Sequence, residues 1–345
     1  MWVRRALRQG LVIPAHPLAL TAARRLDERR QRALTRYYLD AGAGGVAVGV
    51  HTTQFAIHEP KRGLLPHVLQ LAAETVRSGL RERRTVLIAG VIGRTRQATR
   101  EAALARELGY DAVLLSLAAL KHAGTAELVA HARAVASVMP VMGFYLQPAV
   151  GGRVLGYRFW RRFAEIENVV AIKIAPFDRY ATLEVIRAVV DSGRATEIAL
   201  YTGNDDHILL DLLTRHSIGG HRPARMIGGL LGHWAFWTST AVKQFDVCTR
   251  VARGGAAVPS RLLALAEQVT DANAAVFDAA NRFRGCIPGI HEILRRQGLL
   301  TGRWCLDPDE ELSPGQAKEI SRVCRAYPQL ADDEFVRENL DRWMT

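Results

Sequence analysis

The stretch ENVVAIKIAPF, residues 167 to 177, decides how this chain is read. Its centre, VVAIKIA (169 to 175), is a near-continuous apolar run, as in a parallel strand covered on both faces. Side chains alternate along a strand, so Val169, Ala171 and Lys173 share one side while Val170, Ile172 and Ile174 share the other. The second set is uniformly bulky and suits a layer between strands and helices, which leaves Lys173 on the inside, close to the strand's C-terminal end. A lysine among β-branched apolar residues calls for an explanation.

Seven similar runs surround it. They are LVIPA (11 to 15), GVAVGV (45 to 50), TVLIAGV (85 to 91), DAVLLSL (111 to 117), MPVMGFYLQ (139 to 147), EIALYTG (197 to 203) and ARMIGGLL (224 to 231). Between them lie segments with helical spacing. In ERRQRALTRYYLDAG, for example, Ala33, Leu34, Tyr37, Tyr38 and Ala41 fall on one face and Gly42 stops the turn. Eight strands alternating with helices predict an α/β fold, a (β/α)8 TIM barrel, because a doubly wound sheet needs only five or six. After about residue 235 the strands stop, and SRLLALAEQVTDANAAVFDAANRF and SPGQAKEISRVCRAY read as helices. The expected division is therefore a barrel with the active site over residues 1–235, and a C-terminal helical region over 236–345 packed on the barrel or on a neighbouring subunit.

Composition narrows the function. The 345 residues are 49% hydrophobic and 23% charged, with a mean hydropathy of +0.00, which excludes a disordered chain. No run reaches the 18 or so apolar residues of a membrane span, and the basic N-terminus lacks the apolar stretch of a secretory signal, so a cytoplasmic protein is expected. Cys248, Cys286, Cys305 and Cys324 are widely spaced and read as ordinary thiols. His216 and His221 lack a partner pair and read as loop residues, so no metal is expected. The net charge of +12 raises the question of nucleic acid. Its arginines are spread along the chain, however, and the clusters Arg24, Arg25, Arg29, Arg30, Arg32 and Arg81, Arg83, Arg84 read as solvated helix faces, which argues against a nucleic-acid partner.

Lysine usage says more than charge. Only Lys61, Lys121, Lys173, Lys243 and Lys318 are lysines among 46 basic residues, so lysine is rarely chosen for charge alone. Burial lowers an amine's pKa, a neutral amine attacks carbonyls, and arginine can do neither. A barrel-lining lysine paired with a buried carboxylate is the alternative, weakened by the lack of an acidic residue in the fifth and sixth strands. In the fifth strand Val141, Gly143 and Tyr145 are expected to face inward, setting a phenol beside the amine for the proton transfers of carbinolamine chemistry; a core tyrosine is the alternative. The turn GVHTTQF offers His51, Thr52 and Thr53 for a carboxylate. In YTGNDDH, Gly203 permits close backbone approach, and Asp205 and Asp206 read as helix caps before catalysts. Trp234, Phe236 and Trp237 of GHWAFW read as packing for the helical region.

In this order the features resemble the dihydrodipicolinate synthase and N-acetylneuraminate lyase family of class I, pyruvate-handling aldolases. GLVIPAHPL is similar to the family's opening strand, AGAGGVAVGVHTT to its Gly-Thr-Thr turn, FYLQP to its Tyr-Asn-x-Pro motif, and VVAIKIA to its Schiff-base strand. YTGNDD resembles its Ser-Gly-Asp-Asp turn, RMIGGLL its last strand, and IPGIHEILRRQGLLTG its Pro-x-Lys-x-x-Leu helix. The resemblance implies a lysine imine at Lys173 with no separate cofactor, a proton relay through Tyr145, and a carboxylate held by Thr52 with Thr53. A second register puts His51 and Thr52 on the family's two threonines. Gly203 and Ile227 match pocket-lining positions, and a homotetramer is implied.

Departures are equally informative. Val150 stands where the lysine-biosynthesis enzymes carry an arginine, with Arg153 the nearest candidate, and SLAALKHAG replaces the family's tyrosine pair. The expectation is a Schiff-base-forming lyase or aldolase acting on pyruvate or another 2-oxo acid, with an aldehyde as second substrate and not the lysine-pathway enzyme itself. A 2-keto-3-deoxy-sugar-acid or 4-hydroxy-2-oxoglutarate type aldolase is one alternative. A catalytically silent barrel that binds a 2-oxo acid is the other.

Overall fold

The computed structural model describes residues 2–79, 84–220, 223–255 and 257–345. Arg81, Arg83 and His221 lie outside the described residues. Eight strands form one parallel sheet: β1 (Val12–Pro14), β2 (Gly45–Val48), β3 (Val86–Val91), β4 (Ala112–Leu115), β5 (Val141–Leu146), β6 (Val169–Ala175), β7 (Ala199–Thr202) and β8 (Met226–Leu231). From β2 to β8 each strand pairs with the next in sequence, and β8 pairs with β1. The bridge Ala15↔Ala47 and the His16 N–H donating to the Ala47 carbonyl at 2.8 Å bring β1 to β2 and nearly close the barrel. All eight expected strands are present, and the fold is a TIM barrel.

An N-terminal helix, α1 (Trp2–Arg8), was not foreseen. It plugs the barrel's N-terminal end with Val3 and Leu7, and the Tyr201 hydroxyl inside the barrel donates to the Leu7 carbonyl at 2.8 Å. Helices α2 (Glu28–Asp40), α3 (Leu64–Ser78), α4 (Thr95–Glu107), α5 (Thr125–Ala136), α6 (Tyr157–Phe163), α7 (Arg179–Asp191) and α8 (Ile208–Leu213) follow β1 to β7. Asp27 and Asp178 cap α2 and α7 by accepting from the Arg30 and Ala181 N–H groups.

Past β8 come α9 (Thr238–Gly254), α10 (Ser260–Val276), α11 (Cys286–Arg296), α12 (Gln316–Ala326) and α13 (Asp333–Trp343). They pack on the barrel's own helices, α9 and α10 against α8 and α13 against α2. Trp234, Phe236 and Trp237 are buried in that seam, with Phe236 6.1 Å from Phe277. The α2 arginines are more than a solvated face. Arg29 donates to the Met344 carbonyl at 2.7 Å, Arg30 to Gly298 at 2.5 Å and Arg36 to Trp343 at 2.5 Å. Arg194 likewise reaches the Ala164 and Ile166 carbonyls. A guanidinium can serve several carbonyls in one plane where an ammonium cannot, which gives one physical reason for the arginine preference.

Candidate active site

The barrel interior is filled from the bottom by Ile13, Val86, Ile88, Ala112, Met142, Ala171, Ala199 and Tyr201. Above them, at the C-terminal ends of the strands where barrel enzymes keep their reactive groups, lies a cavity lined by His51, Thr52, Phe144, Lys173, Gly203, Asp205 and Cys286 among others. Lys173 points into it as expected, 7% exposed. A one-residue irregularity between β5 and β6 turns Val170, rather than Val169, inward beneath it. The Lys173 stem lies across Gly203, where a Cβ would sit 2.6 Å from Cε. A larger residue there would displace the lysine stem.

Burial pulls the Lys173 pKa down from 10.5 to about 8, against the charge of Asp205, which raises it. Nζ stands 4.6 Å from the Phe144 ring centroid. Asp205 is the carboxylate that the fifth and sixth strands lack, and it comes from the β7–α8 turn. It does not cap α8: Oδ1 accepts from the His233 N–H at 2.9 Å, and burial pushes its pKa up to about 7. Asp206 makes no capping bond to α8 either. His51 is pushed down to about 4 by burial and then by the Lys173 charge, so its imidazole is neutral.

Tyr145 is not in the cavity. Phe144 pairs with Lys173 across β5 and β6, so it is Phe144 that faces inward. Tyr145 faces the surrounding helices, 5.5 Å from Trp160, and its hydroxyl accepts from the Leu155 N–H at 3.2 Å. The small residue at Gly143 makes room outside rather than inside, since a Cβ there would meet Phe163 at 2.7 Å.

The His51–Thr53 turn presents only part of itself to the cavity. His51 and Thr52 line the cavity and Thr53 does not. The Thr53 hydroxyl donates to the His16 carbonyl at 2.6 Å and accepts from Gly49 and Val50, so it is spent on the turn. The Thr52 hydroxyl donates to the Ala15 carbonyl at 2.7 Å and keeps only acceptor capacity for a ligand. Ile227 lies away from the cavity. It lies at the start of β8, packed against the N-terminal half of the interior near Gly10, while Gly232 lines the cavity about five residues further along. Val150 lines the cavity, whereas Arg153 turns away to donate to the Leu120 and Ala123 carbonyls.

The roof comes from the C-terminal region, a contribution the sequence reading missed. Phe277, Phe283 and Cys286 close the cavity over Lys173. Phe283 stacks edge-on against Phe177 with centroids 5.6 Å apart. Both have positive φ, 65° and 52°, a strained conformation for bulky side chains that costs on the order of 1–3 kcal/mol each. Two polar networks hold them there. Asp278 accepts from the Gly285 N–H at 3.0 Å and from Ser313, while Gln316 donates to the Val276 and Gly285 carbonyls. On the barrel side Asn204 accepts from the Phe177 N–H, and buried Asp211 gathers Thr202, Asn204 and Arg179. Non-glycine residues with positive φ tend to cluster at functional sites, but no sequence signal marks these two.

Among the described residues no group of three His, Cys, Asp or Glu side chains could hold a metal ion, and no helix is long and apolar enough to cross a membrane. A model of the Dihydrodipicolinate synthetase family matches residues 10–222. Among solved structures, a dihydrodipicolinate synthase from Oceanobacillus iheyensis is 16% identical, with a TM-score of 0.74 over 94% of this chain and 99% of that one. CdNal from Clostridium difficile, solved with mannosamine, is 16% identical with a TM-score of 0.71, covering 92% and 99%. A prophage protein of the dihydrodipicolinic acid synthase family from E. coli K12, solved with pyruvate, is 19% identical with a TM-score of 0.71, covering 93% and 98%. At such identities the structural likeness shows the fold. Among curated proteins no sequence matches.

Proposed function

The chain belongs to the dihydrodipicolinate synthetase family, whose model matches more than half of it, and from that premise we propose that it is a lyase forming an imine between Lys173 and the keto carbon of a 2-oxo acid. The observation that carries this reading is the single buried amine at the barrel mouth, with its pKa pulled to about 8. About a tenth of such an amine is neutral at pH 7, some two orders of magnitude more than for an ordinary lysine. The neutral Nζ adds to the keto carbon, water leaves, and the protonated imine draws electrons from the adjacent carbon, so that a carbon–carbon bond there can form or break. The lysine itself supplies the electron sink.

The second substrate is a weakly polar aldehyde. Phe144, Leu146, Val150, Phe177, Phe277 and Phe283 surround the amine, and among the described residues no arginine lines the cavity. A 2-keto-3-deoxy-sugar acid or 4-hydroxy-2-oxoglutarate would bring hydroxyls or a second carboxylate to a wall with few polar partners, an unfavourable exchange of hydration for apolar contact. The reading includes a cytoplasmic homotetramer, for which exposed Tyr180 and Leu183 on one face of α7 are candidate contacts. Light scattering checks the assembly.

The experiment is incubation with pyruvate and borohydride, then intact mass and peptide mapping. A pyruvate-sized increment on Lys173, absent from Lys173→Ala, is expected. No adduct with pyruvate or with longer 2-oxo acids would leave a catalytically silent barrel, a reading that the outward-facing Tyr145 favours.

A further inference from the structure

A lyase of this kind must move a proton on and off the carbon next to the imine, and the expected phenol is turned out of the cavity. Apart from Lys173, three side chains among the described residues that line the cavity exchange protons, His51, Asp205 and Cys286. Their settings differ. The Cys286 thiol is pushed far up by burial, with nearby carboxylates adding to the shift, so it stays protonated. The His51 imidazole is a weak base, held near 4. Asp205 has one oxygen fixed by the His233 N–H, while its charge acts on Lys173 without a hydrogen bond between them. Amine and carboxyl thus open on the same cavity without bonding to each other.

We infer that Asp205 is the general base and acid of the reaction, a role that rests on the imine reading above. The carboxylate takes a proton from C3 of the imine; the C–H electrons become the C2=C3 bond of the enamine, and the C2=N π pair returns to Nζ. In the reverse direction the carboxylic acid returns the proton to C3. Burial raises the Asp205 pKa well above that of an ordinary aspartate, toward the range of a group that alternates between base and acid.

The test follows exchange of the pyruvate methyl protons in D2O by proton NMR, alongside borohydride trapping of the same samples. Asp205→Asn keeps an oxygen to accept from the His233 N–H, so the turn stays supported. The expected result is an adduct still formed on Lys173 while methyl exchange falls about 100-fold or more, the ordinary contribution of a positioned base. Asp205→Glu, which restores a carboxylate, should recover exchange to within about tenfold of the native protein, a rescue that a purely structural role would not give. Exchange in Asp205→Asn within about threefold of native would overturn the assignment, as would loss of exchange in His51→Gln with Asp205→Asn unaffected. If the native protein forms no adduct with any 2-oxo acid, the imine reading falls and this role falls with it. If it forms the adduct but Asp205→Asn exchanges normally, only this role falls.

Discussion

Phe144 and Lys173 face each other across the β5–β6 pairing, with the amine nitrogen 4.6 Å from the ring centroid. An ammonium over an aromatic face is stabilised by about 0.5–2 kcal/mol, so the ring opposes the burial that drives the amine neutral. Phe144→Leu removes that support and keeps an apolar wall. The midpoint of adduct formation with pyruvate and cyanoborohydride should therefore move to lower pH, by about 0.5 to 1 unit. A midpoint that rises would show that the ring acts mainly by excluding water.

The pH profile of the native protein has a definite direction. Lys173 titrates near 8 rather than 10.5, and only its neutral form attacks. Adduct formation should rise about tenfold per unit below pH 8 and level off above it. Continued increase up to pH 10 would show an amine of ordinary basicity.

Gly203 is where the lysine stem crosses the seventh strand's end. An added Cβ would stand 2.6 Å from Lys173 Cε and 2.7 Å from Ala175 Cβ. The lysine end can swing away but the Ala175 methyl is fixed to β6, so Gly203→Ala should cost about 1–3 kcal/mol of stability. Adduct formation should slow by about tenfold or more. A Gly203→Ala protein with native melting temperature and native trapping would refute the close approach.

Tyr145→Phe separates this chain from the pattern its family motif suggests. The hydroxyl touches only the Leu155 N–H among the described hydrogen bonds, outside the cavity, so trapping and methyl exchange should stay within about twofold of native. Stability should fall by about 1 kcal/mol through the donor left without its acceptor, read by chemical denaturation. A large loss of exchange would place the phenol in the reaction.

The strands and the lysine were legible because long βα alternation is a robust signal and because one charged residue interrupts an otherwise apolar strand. The direction of Tyr145 was not. A parallel strand buried on both faces is apolar throughout, so MGFYL carries no inside-outside pattern, and the one-residue irregularity where Val141 and Met142 meet β6 shifts which set faces inward. Gly143, expected to face inward, instead leaves space for Phe163 and Trp160. Thr53 was carried by its place in the turn and Ile227 by motif likeness, and a local hydrogen bond and a distance along a strand set them away from the cavity. Asp205 was read as a helix cap because aspartates after a glycine usually are. Its partner, the His233 N–H, is 28 residues away in sequence, a contact no local pattern encodes.

The roof over the lysine has a bearing on how the protein is made. Phe277, Phe283 and Cys286 belong to the last fifth of the chain, more than a hundred residues after Lys173. During synthesis the strands emerge first, so the barrel can assemble on the ribosome with its amine still hydrated and close to ordinary basicity. Only when the late helices dock does water leave and the nitrogen become a good nucleophile. The nascent chain would then carry little capacity to capture stray carbonyl compounds, and chemical competence would arrive together with completion of the fold.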